Sequence, residues 1–187
     1  KMNILFVNPS LRNGSSTKYL PVGIASVMTY VASKGFVFDL LDVDIDDLTD
    51  EEVAAALRRE KYDVVLTGAI VTHYKWIKWL TRCVRSIHPD SCIVVGNSVA
   101  SSIPTVFLEN SDADIAIIGE AEESVHEVLE CLQSNRKFEQ ISGIAFKQHG
   151  KVIVNQKRTA KKRIDDFPMI NWERFEVEKY FSKSYAG

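Results

Sequence analysis

Residues 114–124 read Asp-Ile-Ala-Ile-Ile-Gly-Glu-Ala-Glu-Glu-Ser, and this stretch decides the fold. Its apolar half, residues 114–118, predicts a buried strand that stops at Gly119, and its acidic half predicts a helix that begins at once. Ligands of an open parallel sheet bind beyond the carboxyl ends of the strands. We therefore expect the turn from Gly119 to Glu122 to lie at the edge of the sheet where a cofactor would bind.

The same alternation of strand and helix extends back to the start of the chain. Four more apolar runs predict strands at residues 2–7, 36–41, 63–67 and 92–95, and each is followed by a helical segment. Strict alternation with short connections predicts right-handed crossovers and an α/β fold. We expect a doubly wound, five-stranded parallel sheet of the Rossmann or flavodoxin type, with helices on both faces.

The pattern changes after Ser134. Residues 141–147 and 151–155 are separated by His149-Gly150, which predicts a β-hairpin. The aromatic tail that follows has too few regularly spaced apolar residues to form a core, so it is expected to be an extended linker that packs on something else. We therefore divide the chain into a ligand-binding domain, residues 1–135, and a hairpin with a linker, residues 136–187.

The composition is ordinary for a soluble globular protein, with 45% hydrophobic and 26% charged residues and a formal net charge of -2. Such a charge gives no field that would attract nucleic acid or an anionic membrane, and no apolar run is long enough to span a bilayer. We expect neither partner. The three cysteines form no CxxC pair and are expected to be reduced thiols of a cytoplasmic protein without a signal peptide.

Four loops follow the predicted strands and meet at one edge of the sheet, and all of them are small or polar. Glycine lets the backbone approach a ligand closely, and the amides of a helix N-terminus bind anionic groups, so the edge suits a phosphate-bearing cofactor. No catalytic residue and no metal ligand is predicted. The candidate cofactor-binding residues are Asn8, Pro9, Ser10, Leu11, Thr67, Gly68, Thr72, His73, Gly96, Asn97, Ser98, Gly119, Glu120 and Glu122.

Some of these residues have two interpretations. Glu120 and Glu122 either accept hydrogen bonds from ligand hydroxyls or amides, or only complement the dipole of the following helix. His73 is the only histidine expected near the edge, where it either approaches a ligand or caps a helix in solvent.

Three other features have a structural explanation that we favour over a functional one. Trp76 and Trp79 at helical spacing predict a packing pair rather than a stacking platform. The basic residues of 157–163 predict a solvated linker rather than a nucleic-acid contact. The eight acidic residues within 39–52 predict a solvated turn that leads into a helix rather than a metal cluster.

Absent motifs exclude several nucleotide-dependent classes. The chain has no GxxxxGK[ST] loop and no GxGxxG after the first strand, which argues against nucleotide hydrolysis and against dinucleotide binding. The third strand ends in Thr67-Gly68, without the aspartate that a phospho-receiver domain needs.

Eight short segments, spread along nearly the whole chain, match segments of a known protein family in the same order. Together they resemble the N-terminal cobalamin-binding domain of radical S-adenosylmethionine enzymes, most specifically in the Gly-Glu-Ala-Glu turn followed by Gly-Ile and Phe-Pro. The resemblance implies a cobalamin whose nucleotide tail lies among the edge loops. The segments are residues 4–9, 20–25, Gly35 with 41–42, 62–65, 94–96, 114–120 with Glu122, 141–144 and 167–168.

The sequence departs from the best-known cobalamin domains at two places in the edge loops. The DxHxxG motif, whose histidine ligates cobalt, is replaced by residues 8–14 without a histidine. The resemblance then implies cobalamin bound without a histidine ligand from this loop. Gly96-Asn97 stands where relatives often have two glycines, and asparagine tolerates the positive φ that such a turn needs.

A third departure concerns catalysis. The CxxxCxxC motif that holds the cluster for cleaving S-adenosylmethionine is absent. We expect an excised N-terminal domain that has no activity by itself and whose partner is the missing C-terminal radical domain of the same chain. The parent enzyme would use S-adenosylmethionine and a [4Fe-4S] cluster on a small-molecule substrate, for radical methylation or a cyclase-type oxidation like that of anaerobic magnesium-protoporphyrin ester cyclases.

Two rival hypotheses remain at this point. Residues 10–17 look like the hydroxyl-rich phosphate loop of flavodoxin-like flavin binders. Alternatively, the domain is a docking module that has lost its cofactor, for which Gly96-Asn97 is the supporting feature. Under the cobalamin hypothesis, Gly96→Val or Gly119→Val should block cofactor uptake while the domain stays folded.

Overall fold

The computed structural model describes residues 2–10, 15–68, 70–134, 136–159 and 166–184, and these residues form one mixed sheet between helices. The strands are β1 (Ile4–Asn8), β2 (Asp39–Asp42), β3 (Val64–Gly68), β4 (Cys92–Gly96), β5 (Ile115–Ile117), β6 (Ile144–Gln148) and β7 (Lys151–Val154). The helices are α1 (Val22–Ser33), α2 (Asp50–Leu57), α3 (Tyr74–Ile87), α4 (Asn97–Ser102), α5 (Pro104–Glu109), α6 (Glu122–Ser134) and α7 (Val177–Ser184), with short 3-10 turns at Val71–His73 and Phe138–Gln140.

The strand order is β2-β1-β3-β4-β5-β6-β7, and the first five strands are parallel. The predicted α/β architecture with a parallel sheet is confirmed. The predicted five-stranded sheet is wrong, because β6 pairs antiparallel with β5 and β7 pairs antiparallel with β6. The hairpin therefore extends the sheet to seven strands and pairs the edge that β5 would otherwise leave open.

Alternate residues of each central strand point to opposite faces of the sheet, so the domain has two apolar cores. In β1, Ile4 and Phe6 contribute to the first core, which α1 and α6 cover, whereas Leu5 and Val7 contribute to the second core, under α2 to α5. The change of direction between β2 and β3 puts α1 and α2 on opposite faces. This arrangement creates a topological switch point between β1 and β3, where ligands of doubly wound sheets bind.

The tail returns to the domain instead of extending away from it. Phe175 and Tyr180 are buried in the first core, and α7 occupies residues that the sequence predicts to be extended. The prediction of a wholly extended tail is therefore wrong for these residues. The reason is non-local: Arg174 donates to the Phe38 carbonyl at 3.2 Å, and the amide of Asn171 donates to Thr29 Oγ1 at 2.9 Å.

The end of β2 and the loop that follows it, residues 42–47, are called the acidic turn below, and α7 packs against this turn. Lys183 Nζ lies 2.7 Å from Asp47 Oδ2 and donates to the carbonyl of Ile45 at 3.0 Å, while Lys179 pairs with Asp46. The expectation of a merely solvated turn is incomplete, since these acids bind the lysines of the tail. Within the described ranges, no helix has the length and the apolar character needed to cross a membrane.

We predict that the tail contributes to the stability of the domain. Phe175 is 6% exposed, so Phe175→Ala leaves a cavity in the first core and should lower the free energy of unfolding by about 3 kcal/mol. Met169 lies in the same tail but is 94% exposed, which makes Met169→Ala the matched control with a change below about 0.5 kcal/mol. Urea denaturation of the chain measures both. Equal midpoints for the two variants would contradict a docked tail.

Candidate functional site

A cleft of about 510 Å³ opens at the carboxyl ends of β1, β3, β4 and β5, beside the first turns of α1 and α6. One buried apolar side chain from each of these strands forms its floor: Phe6, Leu66, Val94 and Ile117. Phe6, Leu66 and Val94 lie side by side in the parallel register, and Ile117 is two residues beyond the partner of Val94, so all four side chains share a face. The cleft therefore has an apolar base and lies at the switch point of the sheet.

Helix α1 forms one wall, and its start is unusually open. Gly23 lies in the first turn of α1, and a Cβ atom built there meets nothing within 4 Å. Ser26 Oγ donates to Glu122 Oε1 at 2.6 Å, which joins α1 to α6 beside the cleft. Glu122 thus has a structural partner beyond the helix dipole, and its second carboxylate oxygen remains available as an acceptor.

The strand ends keep space free because they are glycines. A Cβ atom at Gly96 would lie 3.9 Å from Ile117 Cβ and from the Thr67 carbonyl, which is ordinary contact. A Cβ atom at Gly119 would meet nothing within 4 Å, but the φ of +85° at that residue favours glycine for its backbone alone. No bulky side chain among the described residues plugs these gaps, so the space that a ligand needs is present.

Asn97 supports the turn after β4 in the way that its sequence position predicts. Its φ is +68°, in the left-handed region that asparagine tolerates, and its Oδ1 accepts a hydrogen bond from the amide of Ser98 at 2.6 Å. With Oδ1 engaged, the Nδ2 group is the donor that Asn97 can offer to a ligand in the cleft.

Asn8 ends β1 at the cleft and belongs to a buried hydrogen-bonded set. Its Nδ2 donates to Asp42 Oδ1 at 2.7 Å and to Tyr180 Oη at 3.1 Å, and Tyr180 Oη donates to Asp42 Oδ2 at 2.7 Å. Burial raises the pKa of the Asp42 carboxyl despite these hydrogen bonds. Burial, followed by the nearby Asp42 charge, also raises the pKa of the Tyr180 hydroxyl, so this hydroxyl stays protonated and can donate.

Most of the predicted site residues are brought together in this cleft. The structure places nine of them in its lining: Asn8, Pro9, Thr67, Gly68, Gly96, Asn97, Gly119, Glu120 and Glu122. Two of the nine are carboxylates, so that side of the cleft suits hydrogen-bond donors of a ligand rather than a phosphate.

The remaining predicted residues do not line the cleft. Ser10 Oγ turns away and donates to Asp44 at 2.7 Å, and Ser98 Oγ accepts from the amide of Val71 at 3.2 Å. Thr72 Oγ1 and His73 Nδ1 lie 3.1 Å apart on an exposed turn, so they pair with each other. Leu11 lies outside the described residues.

Two parts of the site are missed when only the loops after strands are considered. The first is the start of α1, residues 20–24, although this segment is among those that carry the family resemblance. The second is the floor, because Phe6 or Leu66 in a strand reads as an ordinary core residue. Nothing in a single apolar run distinguishes a floor position from a core position.

None of the four histidines lines the cleft. His88 is buried with its Nε2 2.8 Å from the Leu57 carbonyl, and His126 Nε2 lies 3.7 Å from Glu130 Oε1. His149 occupies the turn of the β6–β7 hairpin. No imidazole therefore contributes to the lining of the cleft.

The favoured explanation for the tryptophans, a packing pair, agrees with the contacts, whereas the basic stretch is not a merely solvated linker at Arg158. The rings of Trp76 and Trp79 lie 5.7 Å apart, and Trp76 Nε1 donates to Asp50 Oδ1 at 3.0 Å. In the described part of the basic stretch, Arg158 pairs with Glu123 at 3.2 Å and with Glu127 at 2.5 Å. These residues connect elements of the domain.

Comparison with known proteins gives a family match. The family model described as the B12 binding domain matches residues 13–129. An uncharacterised methyltransferase of Pyrococcus horikoshii is 22% identical over 184 residues, covering 96% of this chain and 40% of the relative. The anaerobic magnesium-protoporphyrin IX monomethyl ester cyclase of Synechocystis is 23% identical and covers 100% of this chain and 38% of its own length.

Two solved structures share the fold. The cobalamin-dependent S-adenosylmethionine radical enzyme OxsB, with aqua-cobalamin and S-adenosylmethionine bound, superposes with a TM-score of 0.82 at 16% identity, over 97% of this chain and 25% of its own. The radical S-adenosylmethionine methyltransferase TsrM of Kitasatospora setae, with cobalamin and a [4Fe-4S] cluster bound, has a TM-score of 0.73 at 15% identity, over 89% and 30%. The chain spans about two fifths of the length of these two curated relatives.

The two cleft glycines should respond differently to a methyl group. Gly119→Ala forces an L-residue into the left-handed region and should lower the free energy of unfolding by about 1–2 kcal/mol. Gly96 has φ -118° and room for a Cβ atom, so Gly96→Ala should change it by less than about 0.5 kcal/mol. Urea denaturation of the two variants tests this, and a larger loss at Gly96 than at Gly119 would contradict the described backbone.

Proposed function

The chain belongs to the B12-binding domain family, and from that premise we propose that it binds a cobalamin with the nucleotide tail in the cleft between α1, α6 and the ends of β1, β3, β4 and β5. The observation that carries the proposal is the set of gaps at Gly23, Gly96 and Gly119, which leave the apolar floor open at the switch point of the sheet. A flat heteroaromatic base suits such a slot, since it needs close backbone approach and apolar contact.

The polar groups of the cleft fit the rest of such a ligand. Glu120 and Glu122 can accept hydrogen bonds from amide or hydroxyl groups, and Asn97 Nδ2 can donate to a carbonyl or a phosphodiester oxygen. The four floor residues keep water away from the buried part of the ligand. When bound, the cobalamin supplies a cobalt centre for methyl transfer or related radical chemistry.

We further propose that this domain serves a larger radical S-adenosylmethionine enzyme, whose radical domain supplies the S-adenosylmethionine and [4Fe-4S] sites. The chain covers 38–42% of three curated relatives, two of them named methyltransferases and one a cyclase. We propose that α7, at the end of the described tail, lies on the side toward that radical domain. Radical methylation of a small molecule is the activity that these relatives favour, with cyclase-type oxidation second.

The contacts of the loop after β1 do not favour the flavin hypothesis. Ser10 Oγ donates to Asp44, and Ser15 Oγ donates to the carbonyl of Thr17 at 3.2 Å. These two hydroxyls are engaged within the chain and are not free to hold a flavin phosphate. A corrinoid tail in the cleft does not need them.

Filling the gaps should prevent binding without unfolding the domain. Gly23→Leu places a side chain in open space in the first turn of α1, where leucine also has the better helix propensity, and Gly96→Val fills the end of β4. We expect each variant to weaken the binding of aqua-cobalamin at least about tenfold, because the side chain occupies the volume of the ligand. Absorbance titration measures the dissociation constant. Gly119→Val is not a suitable variant, because its φ of +85° would add backbone strain.

Ala55→Leu is the matched control, since Ala55 is an exposed residue of α2 on the opposite face of the sheet. It should bind aqua-cobalamin like the unmodified chain, and all three variants should keep the same far-ultraviolet circular dichroism. Undiminished affinity in both Gly23→Leu and Gly96→Val would refute the assignment of the cleft. A chain that retains flavin mononucleotide and not aqua-cobalamin would refute the cobalamin proposal itself.

We propose that no histidine of this chain ligates the cobalt. The support is that all four histidines lie away from the cleft, three of them with partners elsewhere. The electron paramagnetic resonance spectrum of the chain loaded with cob(II)alamin should lack nitrogen splitting from an axial imidazole or from the displaced nucleotide base. A nitrogen triplet that disappears in His73→Gln would contradict this and would assign His73 as the ligand.

A further inference from the structure

Tyr180 of α7 reaches the cleft through one hydrogen-bonded set, called the Asn8–Asp42–Tyr180 triad. Tyr180 is completely buried and Asn8 is 6% exposed. The Tyr180 hydroxyl touches both other members, donating to Asp42 Oδ2 at 2.7 Å and accepting from Asn8 Nδ2 at 3.1 Å. Tyr180 of the tail and Asn8 of the cleft wall are therefore bonded to each other and share Asp42 as a partner.

The triad determines whether the oxygen or the nitrogen of the Asn8 amide faces the cleft. Both hydrogens of Nδ2 are used, one toward Asp42 Oδ1 at 2.7 Å and one toward Tyr180 Oη. Among the described residues, Ser91 Oγ is the only fully buried side-chain oxygen or nitrogen without a partner, so Asn8 Oδ1 is not sealed in the interior. Oδ1 is the atom of Asn8 that can accept a hydrogen bond in the cleft.

The position of Tyr180 depends in turn on the docking of α7. Ser184 Oγ donates to the carbonyl of Lys18 at 2.7 Å, and the Lys18 ammonium, only 2% exposed, lies 2.6 Å from Asp47 and 3.2 Å from Asp44. Lys183 also binds Asp47. The tail helix, the acidic turn and the segment that enters α1 thus form one connected set of contacts beside the cleft.

We propose that Tyr180 is a positioning residue of the cofactor site. It holds the Asn8 amide so that Oδ1 accepts a hydrogen bond from an N–H or O–H donor of the corrinoid, which makes the position of the Tyr180 hydroxyl and the affinity for cobalamin interdependent. This inference rests on the proposed cobalamin function. Because coupling between two equilibria is reciprocal, bound cobalamin must also stabilise the docked α7.

A double-mutant cycle tests whether Tyr180 affects the binding of cobalamin by orienting Asn8. Tyr180→Phe removes only the hydroxyl, and Asn8→Ala removes the acceptor that it orients. Each single variant should weaken the binding of aqua-cobalamin about fivefold, the effect of one neutral hydrogen bond. Because both changes remove the same interaction, Tyr180→Phe should add less than about twofold in the Asn8→Ala background.

Two further measurements separate positioning from general stability. Lys183→Met removes another contact of α7 without touching Asn8, and it should leave the dissociation constant within about twofold. Amide hydrogen exchange of residues 177–184 should slow when aqua-cobalamin is added to the unmodified chain, and it should not slow in Tyr180→Phe.

Each outcome has a distinct meaning. Failure of the unmodified chain to bind aqua-cobalamin would overturn the proposed function. Binding by the unmodified chain with unchanged affinity in Tyr180→Phe, or with losses that add in the double variant, would overturn only the positioning role. A loss of affinity in Lys183→Met as large as that in Tyr180→Phe would assign the effect to the docking of α7 in general, and would also overturn it.

Discussion

The cleft depends on the parallel backbone pairing of β1, β3 and β4. In this register Val7 lies opposite Thr67, and Gly68 lies opposite Gly96, so the strands end side by side at one edge. A shift of one residue would turn Phe6 or Leu66 to the other face and replace the apolar floor by residues of the opposite core. Thr67 Oγ1 donates to the Val7 carbonyl at 3.0 Å and adds a side-chain link between two strands at this edge.

Local sequence patterns predict the parts of the fold that depend on neighbouring residues. The turn at Gly119 and the two-residue hairpin at His149-Gly150 are found where they are expected, because a positive φ at a strand end has a strong residue signature. The pairing of β6 with β5 is not predicted, since it joins segments whose contact depends on the finished sheet. Helix α7 is missed for the same reason: its lysines bind carboxylates more than 130 positions away.

The candidate site likewise has one part that local sequence patterns predict and one part that they do not. The glycines at the ends of β3, β4 and β5 are predictable, because their position after apolar runs is visible in the sequence. The floor and the start of α1 require the three-dimensional arrangement, and so does the exclusion of Ser10, whose hydroxyl turns toward Asp44 only when β1 and β2 are side by side. His73 is next to the edge in sequence order, but an exposed turn directs its ring toward Thr72. A residue that follows a strand closely in the sequence is therefore not always one whose side chain lines the cleft.

The acidic turn shows how a structural feature becomes relevant to function. Its carboxylates bind Lys18, Lys179 and Lys183, but Asp42 binds no lysine and instead accepts hydrogen bonds from Asn8 and Tyr180. Burying a carboxylate among neutral partners costs free energy unless all of those partners stay in place. A change at one member of the triad is therefore expected to alter the hydrogen bonds of the other two. Under the proposed function, a displacement of α7 in a longer enzyme would remove the Tyr180 hydroxyl from Asn8 and alter the cleft wall without moving the sheet. The hydrogen bond between Asn8 and Tyr180, which are 172 positions apart in the sequence, would then connect the corrinoid site to whatever the tail contacts.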